Sequence, residues 1–149
     1  MKKFVKWWLP VLVWMGVIFI GSSVGSVPRV GGKVTDGVAH RAAHVLEFAV
    51  LGALTLRALS KDRLATKRNM ITTLIVVVLY GASDEFHQRF TLGRSSEGLS
   101  VLFDVAGGLA GAYIYRWWLT RWHAIRPPER VVMKSAESLT DTPAERQFD

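Results

Sequence analysis

Ser83-Asp84-Glu85-Phe86-His87-Gln88-Arg89-Phe90 follows directly on an apolar run from Met70 to Ala82. That run makes most of a membrane helix, so its polar continuation falls where the chain leaves the hydrocarbon. Ionisable and amide groups at that depth cost free energy unless they are partnered or serve a function. Reading the chain therefore becomes a search for their partners.

The apolar residues are clumped into four segments, and the last 23 residues are almost purely polar. This clumping points to a multi-span membrane protein rather than a soluble domain. The expected fold is all-α, an integral membrane four-helix bundle with helices at about 4–21, 38–59, 69–86 and 99–119. These form one membrane domain over residues 1–126. Pro127-Pro128 ends the last helix, and residues 127–149 are expected to be a disordered cytoplasmic tail. There are no cysteines, which excludes disulfides, thiol nucleophiles and Cys-based zinc sites.

A net charge of +7 raises nucleic acid as a partner, but the basic residues flank apolar segments instead of forming one face. Positive-inside anchoring accounts for them, and no nucleic-acid partner is expected. Of the 19 Lys and Arg, 14 lie before the first span, between residues 57 and 68, or in the C-terminal part. Only Arg29, Lys33, Arg41, Arg89 and Arg94 fall on the other side. Four spans with both termini cytoplasmic satisfy the rule, in a bacterial-type cytoplasmic membrane with the lipid bilayer as the first partner.

The N-terminus, with three lysines followed by Trp7 and Trp8, suits a cytoplasmic interface. It also fits a signal peptide, with small residues at 21–26 for cleavage. The uncleaved span is preferred because the charge balance works best with it counted. Residues 21–37 read as a loop, being rich in Gly, Ser and Val with Pro28 and Thr35-Asp36-Gly37.

The partners lie on two other helices. His40, His44, Glu47 and Leu51 share one face of the second span. Asp104 sits on the fourth, three to seven residues before Gly107, Gly108 and Gly111. Gly107 and Gly111 form a GxxxG pair for close helix packing, with Ala106 and Ala110 a second small pair beside it. At about 1.5 Å per residue, Glu47 is about 14 Å below the outer boundary and Asp104 about 8 Å. Asp84 and Glu85 fall near the level of Asp104, and His87 is shallower. On the third helix Tyr80, Asp84 and His87 make one face, and Gly81, Glu85 and Gln88 the adjoining one. No comparable cluster is expected on the cytoplasmic half.

The run His44-Val45-Leu46-Glu47, then Ser83-Asp84-Glu85-Phe86-His87-Gln88, Gly93-Arg94 and Asp104-Val105-Ala106-Gly107 resembles the VanZ-like membrane proteins. The resemblance covers about residues 5–119. It implies a small multi-span membrane protein of unsettled molecular activity, in a family named for a member associated with teicoplanin resistance. The family usually carries an Asp six residues after the arginine of the Gly-Arg pair, and here that position is Ser100.

Two readings of His44, Glu47, Asp84, Glu85, His87, Gln88 and Asp104 stay open: a polar network locking helices together, or a binding or catalytic site. His and Glu three residues apart on one helix are a usable ligand pair, so a divalent metal fits the site reading, although no cofactor is expected. Arg94 fits an external phosphate or carboxylate, or pairs with Asp84 or Glu85. Ser95, Ser96 and Ser100 suit helix capping better than nucleophilic work. The functions that follow are binding of an amphiphilic ligand such as a lipid-linked wall precursor, an enzyme acting on such a lipid, or a structural partner protein.

Overall fold

The computed structural model describes residues 2–23, 33–90 and 100–125. Arg94 and the expected polar tail at 127–149 lie outside them, as do the side chains of Asp36 and His40. The described residues form four α-helices: α1 Lys2–Ser23, α2 Lys33–Ser60, α3 Lys67–Gln88 and α4 Ser100–Ile125. Among the described residues there are no strands.

Three of these helices are long and apolar enough to cross a membrane, over Phe4–Ser23, Arg41–Ser60 and Lys67–Gln88. Twenty-two residues rise about 33 Å, close to the roughly 30 Å hydrocarbon core. α4 has the length but not the composition. Its glycines, Asp104 and Arg116 dilute an otherwise apolar sequence. The outer surfaces of all four helices expose large apolar side chains, among them Leu12, Leu46, Leu79 and Ile114. Water does not suit a surface of that kind, and lipid does.

α2 begins earlier than the loop expected over residues 21–37, since Lys33 to Gly37 are already helical. Thr and Asp favour the start of a helix as readily as a turn, and the sequence pattern there does not separate the two. α3 begins at Thr66, whose hydroxyl oxygen accepts the Asn69 N–H at 3.2 Å. That cap satisfies one of the donors a helix start leaves open.

Contacts between helix ends fix the directions. The start of α1 meets the end of α2, where the Arg57 guanidinium lies 5.3 Å from the Trp7 ring centre. The ends of α1 and α3 meet where Ser22 donates to Asp84. α2 and α4 therefore run together, opposite to α1 and α3. The core of the packing is Val11, Ile18, Phe48, Leu51, Ala58 and Val77.

α2 and α4 make the most extensive helix pair. A Cβ on Gly107 would overlap the Val45 carbonyl, and one on Gly111 the Ala49 carbonyl. Gly52 meets Gly108 in the same way. Only glycine permits backbones this close. Ala106 and Ala110, the second small pair, instead face outward.

The other end carries polar contacts that the sequence reading did not place there. Lys61 and Asp62 adopt the left-handed conformation, with φ of 53° and 57°. This turn presents Asp62 to three residues. Tyr115 donates to its carboxylate at 2.6 Å, Arg57 lies 3.3 Å from the same oxygen, and His123 Nε2 donates to its carbonyl at 3.0 Å.

Candidate functional site

The polar end is built by the last turns of α1 and α3, the first turns of α4 and the first half of α2. Consecutive residues on a helix point about 100° apart, so Asp84 and Glu85 leave α3 on different sides. Both are buried, because α3 is flanked by α1 on one side and α4 on the other.

Asp84 turns to α1. Its Oδ2 accepts the Ser22 hydroxyl at 3.0 Å and the Gln88 amide at 2.7 Å. Gln88, one turn on, reaches Ser22 Oγ at 3.4 Å and closes the group. Glu85 turns to α4, where Ser100 donates to its Oε2 at 2.5 Å. The position where the VanZ-like pattern has an acid is thus filled by a donor to the α3 carboxylate.

His87 sits at the rim. Its Nε2 is 3.0 Å from Ser23 Oγ, and its ring is 4.4 Å from that of Phe19. Ser23 spends its proton on the Phe19 carbonyl at 2.7 Å. The histidine is then the donor, which places a proton on Nε2.

α2 and α4 supply the second half. His44 Nδ1 lies 3.3 Å from Asp104 Oδ1, and both side chains are buried. Asp104 packs against the bare backbone of Gly81, where a Cβ would stand 3.6 Å from Oδ2. Glu47 is half-buried and faces α1, where a Cβ on Gly21 would stand 3.9 Å from its Oε1. The same residue's carbonyl accepts the Trp14 indole N–H at 2.8 Å. Tyr80 donates to the Met15 carbonyl at 2.5 Å. Glu47, Asp84 and Asp104 are all close enough to act on His44 electrostatically.

The structure therefore brings His44, Glu47, Asp84, Glu85, Gln88 and Asp104 to one end, with His87 at its edge. Among the described residues no three His, Asp or Glu side chains gather to hold a metal ion. Sequence reasoning missed Ser22 and Ser23, which it read as loop, and Ser100, read as a cap. A pair of serines after an apolar span was the signal for the first two.

Two features stand out electrostatically. Four carboxylates gather at this end, and three of their oxygens are buried without a hydrogen bond among the described residues, one of them Asp104 Oδ1 with His44 Nδ1 3.3 Å away. Asp84 Oδ1 and Glu85 Oε1 are buried with no hydrogen-bond partner among the described residues. Burying such an oxygen without a donor costs on the order of 1–3 kcal/mol.

The VanZ/LLP1 family profile matches residues 7–119, which is most of the chain and includes every polar residue just described. The chain belongs to the VanZ/LLP1 family. No curated protein and no solved structure matches it. The family match therefore carries no ligand or reaction over to this chain. The chemistry has to come from the site itself.

Proposed function

We propose that this VanZ/LLP1 protein is a four-span protein of a bacterial-type cytoplasmic membrane. Both termini are cytoplasmic, residues 1–126 form the membrane domain and 127–149 a polar tail. The polar end faces outward and binds the head of an amphiphilic envelope molecule, such as a lipid-linked wall precursor or a lipoglycopeptide. The observation that carries this reading is the pair of buried carboxylate oxygens without donors, in a cluster fed by all four helices. A purely structural network gains most when every member is satisfied. This one keeps open acceptors beside lipid, where a head group enters sideways while its tails stay in the bilayer. Arg94, outside the described residues, would hold an anionic group on the same ligand.

The test is alanine replacement of Glu47, Asp84, Glu85, His87, Arg94 and Asp104, scored for membrane expression, thermal stability and co-purifying lipid. Variants that keep the parent melting temperature and lose the lipid support the site. Variants that all lose their fold together point to structural glue. A role in teicoplanin resistance is checked with the same variants in a survival assay.

The His44–Asp104 pair favours a second reading, an enzyme acting on the lipid. A carboxylate on one imidazole nitrogen fixes the ring's orientation and tautomer, an arrangement suited to general acid–base work. Turnover lost in His44→Gln with binding retained would distinguish it.

A further inference from the structure

The cluster holds four carboxylates, Glu47, Asp84, Glu85 and Asp104. Set against them, among the described residues, are the imidazoles of His44 and His87 and the guanidiniums of Arg41 and Arg89. Arg41 is exposed and lies over the Phe103 ring, 6.0 Å from its centre. With both imidazoles neutral, four acids face two guanidiniums, and both guanidiniums are exposed. Asp84, Glu85 and Asp104 are only 3%, 6% and 2% exposed, so water does little to spread this charge.

The open positions are specific. Asp84 Oδ2 already takes Ser22 and Gln88, while Oδ1 has no partner. Glu85 Oε2 already takes Ser100, while Oε1 has no partner. Protonating either acid does not fill the place, because an O–H would need an acceptor there in turn. What fits is a group that brings N–H donors and positive charge together. An anionic head group brings neither.

We propose that the site takes a primary ammonium group, carried by the head of an aminophospholipid or a similar amphiphile. The ammonium offers its N–H donors to Asp84 Oδ1 or to Glu85 Oε1, which lie on different sides of α3, and adds positive charge beside the acids. The lipid part of this inference rests on the function proposed above; the ammonium part rests on the unfilled oxygens.

The experiment uses the full chain in neutral detergent, titrated with dihexanoyl phosphatidylethanolamine, phosphatidylcholine and phosphatidylglycerol, and with free ethanolamine. Melting temperature and tryptophan emission report binding, since the Trp14 indole is bonded to the Glu47 carbonyl. Phosphatidylcholine keeps the positive charge but has no N–H donor. Phosphatidylglycerol has hydroxyl donors and net negative charge. The expected result is at least tenfold tighter binding of phosphatidylethanolamine than of the other two lipids. At least one of Asp84→Asn and Glu85→Gln should erase most of that preference.

Equal or tighter binding of phosphatidylcholine or phosphatidylglycerol overturns the ammonium inference and leaves the amphiphile reading standing. Free ethanolamine binding as well as the lipid does the reverse. No binding of any probe overturns both. An unchanged preference in two folded variants overturns the assignment to these carboxylates. If a variant does not melt cooperatively, the ranking of probes on the parent protein decides.

Discussion

Asp104 Oδ1 of α4 lies 3.3 Å from His44 Nδ1 of α2, one turn above the point where the backbones of these helices touch. The pair thus closes the polar end of the tightest helix crossing in the protein. Interhelical hydrogen bonds in lipid are worth about 0.6 kcal/mol on average and about 1.7 at most. A double-mutant cycle with His44→Gln and Asp104→Asn should give a coupling near the upper value, because both partners are buried. Thermal unfolding in detergent measures it. A coupling near zero would mean that the glycine crossing alone sets the distance between α2 and α4.

The turn between α2 and α3 makes two predictions of opposite sign. Lys61 holds φ at 53°, a conformation that costs an L-residue roughly 1–2 kcal/mol. No tertiary bond from the Lys61 side chain compensates for it among the described residues. Lys61→Gly should therefore raise stability by about 0.5–1 kcal/mol, part of the relief being offset by the freer unfolded chain. Asp62→Gly relieves similar strain but removes the acceptor used by Tyr115 and Arg57. It should lower stability by about 1–3 kcal/mol. Melting curves of the two single variants settle the pair.

The fold was largely readable because lipid imposes a simple rule: apolar runs about 20 residues long become helices. His44, Glu47, Asp84, Glu85 and Asp104 could be placed at one end from helix rise and alternating direction alone. What escaped has local physical causes. Ser22 and Ser23 follow a span and carry turn-forming side chains, so they read as loop, while the structure keeps them helical and spends them on Asp84 and His87. Ser100 reads as a helix cap, because its true partner is 15 residues back across a loop. The left-handed turn at Lys61-Asp62 carries no glycine or asparagine to announce it. Ala106-Ala110 and Gly107-Gly111 differ by one residue in register, and only packing decides which pair faces α2.

That choice of face is itself testable. A Cβ at Gly111 would overlap the Ala49 carbonyl, and backbone cannot step aside as a flexible side chain can. Gly111→Ala should force α2 and α4 apart and cost about 1–3 kcal/mol. Ala110→Leu adds far more volume one residue away, but Ala110 faces outward and should tolerate it within about 0.5 kcal/mol. Equal losses from both substitutions would show that the Ala110 face is covered in the membrane.

Membrane orientation has a clean assay because the chain has no cysteine of its own. Single cysteines at Ser23 and at Arg63 sit at opposite ends of the helices, and both positions are exposed. With both termini cytoplasmic, an impermeant thiol reagent added to intact cells should label the first and spare the second. The reverse pattern would place the carboxylate cluster on the cytoplasmic side and remove the outer-leaflet ligand from consideration.

The contact between Ser100 and Glu85 predicts a rescue. The hydroxyl donates to Glu85 Oε2 at 2.5 Å, so an acid at position 100 would face the Glu85 carboxylate directly. Ser100→Asp should destabilise the protein by about 1–3 kcal/mol, through the lost donor and the buried like charge. Glu85→Gln in the same chain supplies an amide donor to the new carboxylate and should recover most of the loss. Glu85→Gln alone keeps Ser100 as a partner through its amide oxygen and should cost less than Ser100→Asp. Measured as a cycle, the two substitutions should be strongly non-additive. Additive losses would separate the first turn of α4 from the last turn of α3, and with it the idea that a serine here tunes this carboxylate site.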